Sequence, residues 1–363
     1  MDDGPSPAIL VEPGAAHPYP ALDADGLARF VHVSPHAVQR WLQDGLPADA
    51  RGHVDPFAAA NWLSAGRLEE CPVMARRWRQ YLGWFAPFLA GTDGARSYRC
   101  QRVHRLYLPR PVSTLSWFLP HPEDSPWQRI VERRELAAEG LDATVDAHGV
   151  VLGGAATSTT LTARGSADVQ AIPQVVLPHG SQEHAFFSAL MIEVVGAFDY
   201  AYRHHRPFEY PQAVTDVAVD ARWSGSCIDC AMALGAALHQ RGRRWRLCAG
   251  IVAHSAIANP HLWLEVETTL GWAPLDPTLP AIVRMLGQGW GDWRAYARAY
   301  AGSCDARRLR IAPASGQVAV PGGQTLASAG GEAAVQLVDG RRANAFPCID
   351  WVCGECEATF SER

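Results

Sequence analysis

At 363 residues, 48% hydrophobic and 19% charged, the chain is long enough for two or three buried cores. Its net charge of −5 gives no global pull toward nucleic acid or anionic lipid, and no run of about 18 apolar residues marks a membrane-spanning helix. All 32 basic residues are arginine, so the chain has no lysine amine of its own to cross-link, and nine cysteines without a dense framework point to reduced thiols.

Residues 1–20 carry five prolines and little periodicity, and read as a flexible arm. The opening Met1-Asp-Asp-Gly-Pro-Ser-Pro7 has neither the basic start nor the apolar core of a signal peptide, so a cytoplasmic protein is expected. Over residues 21–70, Leu27 with Phe30, a Ser34-Pro35 helix start, and then Val38, Trp41 and Leu42 predict two short helices joined by a tight turn. A further helix opens at Asp55-Pro-Phe57. This stretch resembles the helix-turn-helix of excisionases and mercury-regulator-type repressors, which implies a small helical domain with DNA as a partner. Its charge does not favour that role: Leu22 to Glu70 holds four arginines against seven acids, and affinity for phosphate rests on positive charge. Gln39, Arg40 and Gln43 are the residues of the second helix placed to read bases or touch phosphate.

Residues 71–95 predict a connecting amphipathic helix from Pro72 to Leu89, whose Trp78, Tyr81, Trp84, Phe85 and Phe88 form an aromatic stripe suited to core packing. Gly91-Thr-Asp-Gly94 follows as a linker. From 96 to 180 the texture changes to short apolar runs broken by proline and glycine, with a threonine-rich run from Thr157 to Thr162, which predicts a β-rich domain. The segment 181–300 opens with a helical pattern from His184 to His205, and later alternates Trp245, Leu247, Ala249 and Ile251 with polar residues in a strand.

Between those two elements stands Trp223-Ser-Gly-Ser-Cys227-Ile-Asp229-Cys230. Helical spacing begins at Cys227 and stops at Gly242, so the thiol sits in a first turn, where unsatisfied N–H groups and the helix dipole favour a thiolate and can hold an oxyanion. Next comes His261-Leu-Trp-Leu-Glu265-Val, with the histidine opening a strand, and then Gly271-Trp-Ala-Pro-Leu-Asp276-Pro-Thr278, with the aspartate closing the next one. Pairing Glu267 with Leu270 puts His261 opposite Asp276, and a four-residue loop keeps that pairing where Thr-Thr is a poor two-residue turn. The same register segregates Trp263, Glu265, Trp272 and Pro274 on the His261 face from Leu262, Leu264, Val266, Ala273 and Leu275 on the other. A thiol, an imidazole and a carboxylate so arranged are the parts of an activated sulfur nucleophile.

The runs G-S-C-x-D-x-A, H-L-W-x-E-V and G-W-x-P-L-D-P-T, in that order, resemble the three signature blocks of the transglutaminase-like superfamily. The resemblance implies an α+β protein with a papain-like core, in which a catalytic helix packs on an antiparallel sheet, preceded by a β domain as in bacterial members. It implies Cys227 as nucleophile, His261 as base and Asp276 as the orienting acid, and no cofactor or metal. The expected function is cysteine-dependent acyl transfer through a thioester, acting on a protein, peptide or carrier-bound acyl substrate. An alternative is a DNA-binding regulator whose core only senses a ligand.

Other residues compete for roles. Cys227-x-x-Cys230 has redox-pair spacing, but a thioredoxin-like pair leaves the histidine and aspartate blocks without a purpose. Asp229 suits anchoring of the helix better than reaction, and His254 suits a loop. In the C-terminal extension, 301–363, Cys348, Cys353 and Cys356 could hold zinc only with a fourth ligand from elsewhere, so terminal packing is the expectation.

Overall fold

The computed structural model describes residues 21–107, 111–120, 122, 124–145, 149–202, 223–254, 257–312, 316–320, 324–328, 335–338, 341–343 and 359–362. Three helices come first: α1 Ala24–Val31, α2 Pro35–Gln43 and α3 Pro56–Ser64. Each begins where the sequence supplies a cap. Asp23 accepts the Gly26 N–H at 2.7 Å, Ser34 that of Ala37 at 3.2 Å, and Asp55 those of Phe57 and Ala58 at 2.7 and 3.1 Å. Leu27, Val38, Trp41, Val54 and Leu63 close their core, while the Trp41 indole donates to Glu70 at 2.8 Å.

One amide of this helical unit reaches far along the chain. Asn61 donates from its side chain to the Tyr202 carbonyl and accepts the Tyr202 N–H, both at 2.7 Å. Asn61→Ala leaves both backbone groups without those bonds, and should cost about 1–3 kcal/mol in urea unfolding. A variant indistinguishable from wild type would mean that water replaces the clamp without loss.

The helix expected from Pro72 to Leu89 is two helices, α4 Pro72–Gly83 and α5 Ala86–Leu89. Pro87 has no N–H to continue the ladder back to Gly83, so the helix stops there and restarts. Its aromatic stripe does pack inward: Tyr81 meets Trp78, Trp84 and Phe85 with centroids 5.4, 5.7 and 5.1 Å apart, and Phe88 meets Tyr300 at 4.9 Å.

Strands follow: β1 Arg96–Tyr107, β2 Val112–Pro120, β3 Gln128–Ala138, β4 Asp142–Val145, β5 Gly149–Ala156, β6 Thr160–Ala171 and β7 Gln174–Val175. Helix α6 Gln182–Ala197 ends well before His205, because Phe198 turns extended and β8 Asp199–Tyr200 pairs in parallel with β9 Ser224–Gly225. After them come α7 Cys227–Gln240, β10 Trp245–His254, β11 Ile257–Thr268, β12 Gly271–Leu275, α8 Thr278–Leu286 and α9 Trp293–Ala299. The remaining strands are β13 Ser303–Cys304, β14 Arg308–Ala312, β15 Gly316–Val320, β16 Gln324–Ser328, β17 Val335–Val338, β18 Arg341–Ala343 and β19 Thr359–Glu362.

The described residues are therefore α+β, with three main sheets among them. Two of them, in the orders β19-β1-β6-β3 and β18-β17-β2-β5-β4, enclose Leu115, Trp117, Leu119, Val150, Leu152, Leu161 and Ala163. The third is antiparallel throughout, in the order β12-β11-β10-β14, and α7 packs on β10 and β11. Its Ile251, Ala253 and Leu309 join Tyr98, Ala167 and Val169 in a small shared cluster, which couples the first sheet to the third. Among the described residues, no helix is long and apolar enough to cross a membrane.

The β11–β12 register differs from the expected one by two residues. Thr268 pairs with Gly271 and Leu264 with Leu275, around a two-residue loop of Thr269 and Leu270. The turn closes because the Thr268 hydroxyl accepts the Leu270 N–H at 3.1 Å and donates to the Gly271 carbonyl at 2.7 Å, with Gly271 at φ 110°. A slip of two keeps every side chain on its expected face. His261 does not open its strand either: β11 begins four residues earlier, at Ile257, and His261 pairs with Gly250 of β10.

Candidate active site

The turn into α7 is built around Gly225 and Asp229. Gly225 has φ 138°, and a Cβ on it would stand 2.2 Å from Asp229 Oδ2. With that space open, the Asp229 carboxylate accepts the Ser226 N–H at 2.9 Å and closes a capping box over the first turn. This is the anchoring role expected of Asp229. Cys227 is the first helical residue and is half-buried, while Cys230, one turn on, is fully buried.

The two thiols differ in chemistry as well as exposure. Burial pushes the Cys230 thiol well above its ordinary range, with Asp276 and Cys227 adding to the effect, and its S–H donates to the Pro277 carbonyl at 3.7 Å. A thiol so held stays protonated, which disfavours a Cys227–Cys230 redox pair.

His261 and Asp276 meet directly. Nε2 of the imidazole lies 2.7 Å from Asp276 Oδ2, with His261 5% and Asp276 0% exposed. Continuing the observed register places Asp276 beside Trp263, so the contact is the diagonal one between strands rather than the opposed one. Asp276 also stands at the strand-to-helix junction, where its Oδ1 accepts the Thr278 N–H at 3.0 Å. Burial alone would raise its pKa, but Arg308, His261 and these hydrogen bonds outweigh it and hold the carboxyl well below the usual range. An ionised carboxylate at Nε2 places the ring proton on that nitrogen, leaving Nδ1 as the basic one. Trp263 stacks on the ring, with centroids 5.8 Å apart and planes at 22°.

The thiol shares this neighbourhood. The Tyr81 phenol is raised chiefly by burial, opposed by Arg308, and raised further by Asp276, Asp305 and Cys227. Tyr200 is raised by burial first and Cys227 next. The half-buried Tyr81 phenol therefore lies within electrostatic reach of both the thiol and the carboxylate.

Sequence reasoning missed the groups behind Asp276. Arg308 Nε donates to Asp276 Oδ2 at 2.5 Å, and Nη1 reaches the Tyr300 hydroxyl at 3.2 Å and also Asp305. The Tyr300 hydroxyl donates to Asp305 Oδ2 at 2.7 Å, and the guanidinium carbon sits 4.3 Å from the Tyr300 ring centroid. Nearby, buried Glu265 accepts from Arg246 at 2.5 and 2.7 Å and pairs with Arg310. No periodicity marks these arginines; only their position on β10 and β14 brings them in.

His254, expected in a loop, ends β10 opposite Ile257. Among the described residues no group of three or more His, Cys, Asp or Glu could hold a metal, and Cys348, Cys353 and Cys356 lie outside them.

No family model matches the chain, and no curated protein matches it. Among solved structures, a candidate cysteine protease from Cytophaga hutchinsonii is similar at 12% identity, over 74% of this chain and 98% of that one, with a TM-score of 0.38. The periplasmic domain of TgpA from Pseudomonas aeruginosa is similar at 16% identity, over 54% of this chain and 93% of that one, with a TM-score of 0.19.

Proposed function

We propose that the chain is a cysteine-dependent acyl-transfer enzyme with a transglutaminase-like, papain-like core. The observation that carries this is the His261–Asp276 contact: a buried imidazole with Nε2 committed to an ionised carboxylate at 2.7 Å. Its neighbourhood also holds a half-buried thiol at a helix N-terminus. In this reading residues 181–300 draw Asp305 and Arg308 from the segment that follows.

The steps follow from the groups. Cys227 Sγ attacks an acyl carbonyl carbon while its proton passes to His261 Nδ1, and the first turn of α7 faces the developing oxyanion. Collapse expels an amine or thiol, which takes the proton from His261, and leaves a thioester on Cys227. Water or an amine, deprotonated by His261, then attacks the thioester carbonyl, and Cys227 leaves as the thiol by taking that proton back. Asp276 stays ionised throughout, since its carboxyl is held below the range in which the imidazole could protonate it. Amide, peptide and thioester donors all fit this scheme, presented on a protein, peptide or carrier.

The test is intact-mass analysis after incubation with a mixture of amide and thioester donors. An acyl adduct on wild type and on Cys230→Ala, absent from Cys227→Ala, is the expected result. An adduct that persists in Cys227→Ala, or its absence from a wild-type chain whose Cys227 also resists iodoacetamide, would overturn the reading.

A further inference from the structure

Asp276 does not face His261 alone. Its Oδ2 takes the His261 contact at 2.7 Å and the Arg308 Nε–H at 2.5 Å, while Oδ1 is filled by the Thr278 N–H. The arginine side chain is 2% exposed, and its far end is held by Asp305, 1% exposed, and by the Tyr300 hydroxyl. A guanidinium suits this place because its planar fork can donate from Nε to one carboxylate and from Nη1 to another at the same time, which a lysine ammonium cannot. We propose that Arg308, counterbalanced by Asp305, is the positioning residue that aims Asp276 at His261, an inference that rests on the acyl-transfer reading above.

The charges support the division of labour. Arg308 by itself would cancel Asp276, and an imidazolium formed during the reaction would then gain nothing from its carboxylate. Asp305 restores one net negative charge, spread over two carboxylates and kept away from solvent. Besides the Cys227 thiol, and Arg307 whose N–H bonds Asp305, the titratable groups near the cluster among the described residues include Tyr81 from α4, Cys230 from α7, and Tyr300 and Cys304 beyond α9. Burial is the largest influence on Tyr81, Cys230, Tyr300 and Cys304 and pushes each toward its neutral form. Glu265 on the same sheet already has Arg246 and Arg310 as partners. The charged groups bonded in a chain to the imidazole are thus Asp276, Arg308 and Asp305.

Fixing the carboxylate from behind also explains a feature of its placement. Asp276 follows the last paired residue of β12, so the sheet ladder does not hold it. Arg308 reaches it from β14, on the far side of β10 and β11, and supplies the constraint that the strand does not.

Two measurements on the full-length chain test this. In the first, the low-field proton resonance of His261 Nε2–H should show a nuclear Overhauser contact to Arg308 Nε–H, since two protons donated to one oxygen lie within roughly 4 Å. In the second, iodoacetamide labelling of Cys227 near neutral pH should slow about ten- to a hundredfold in Arg308→Lys, with the low-field resonance lost or moved. In Arg308→Ala, free guanidinium at millimolar concentration should restore part of the rate, and methylammonium should not. Arg308→Lys labelled at the wild-type rate with the resonance unmoved overturns the proposal, as does a wild-type spectrum lacking the Overhauser contact. If wild-type Cys227 itself is not selectively labelled, the acyl-transfer reading fails instead, which keeps the two failures apart.

Discussion

Asp276→Asn should lower kcat by about 10³–10⁴ and destabilise the fold by about 3–5 kcal/mol. The hydrogen-bond inventory dictates both. The carboxylate accepts three donors, from His261 and Arg308 on Oδ2 and from Thr278 on Oδ1. An asparagine offers one carbonyl oxygen and one NH2 group. With the oxygen toward Thr278, the NH2 group confronts the Arg308 N–H and turns the imidazole to the wrong tautomer. With the oxygen toward Arg308 and His261, the NH2 group confronts the Thr278 N–H. Either way a donor meets a donor and the Arg308 charge loses one of its two counter-ions. The pH dependence follows from sign. A carboxyl depressed in the folded state contributes stability fully above its unfolded pKa, about 3.9, and loses it as pH falls toward the folded value. Wild-type stability should thus decline below about pH 4 in a step that Asp276→Asn lacks. Urea melts across acid pH check this, and an unchanged acid limb would show that the carboxylate is not the group responsible.

Gly250→Ala should be as damaging without removing a polar group. A Cβ at that position would lie 2.0 Å from the Leu309 carbonyl oxygen, 2.8 Å from the Trp263 ring and 2.9 Å from the Leu309 carbonyl carbon. The nearest obstacle is backbone, which has no rotamer to escape into. Gly250 pairs with His261 on one side and with Arg310 on the other, next to an irregularity in the β10–β14 register. Relief requires β14 to move off β10, and β14 carries both Arg308 and Arg310. We expect a loss of about 3–5 kcal/mol in urea unfolding, accompanied by slower thiol labelling. Gly83→Ala is the control: nothing lies within 4 Å of its added methyl, so it should be neutral or gain a few tenths. A Gly250→Ala protein within 1 kcal/mol of wild type would mean that β14 yields at little cost.

The contrast between Cys227 and Arg308 explains what the sequence could reveal. Cys227 announces itself locally, through a glycine before it, a capping aspartate two residues after it and helical spacing beyond. The sheet faces were readable too, because side-chain parity survives a register error of two. The register itself was not, since it depends on the Thr268 hydroxyl bridging its own turn and on the conformation of Gly271. Arg308 lies 32 residues beyond Asp276, in the run Ala306-Arg-Arg-Leu-Arg310. Nothing in its neighbours marks it, because what places it is the return of β14 to the edge of β10. Asn61 is similar: only the folded chain brings it to Tyr202, across 141 positions. The expectation of one helix to His205 failed for a related reason, as a short parallel pairing of β8 with β9 overrode helical propensity.

The late strands have a consequence for biosynthesis. β17 completes the sheet of β2, and β19 caps the free side of β1, so two borders laid down early in translation wait more than 200 residues for their partners. Until β17 and β19 leave the ribosome, those borders present unpaired N–H and C=O groups to whatever other chain is near. Nascent molecules are thus stickier than finished ones, and maturation is paced by slow, distant contacts rather than by the quick local ones that form the helices.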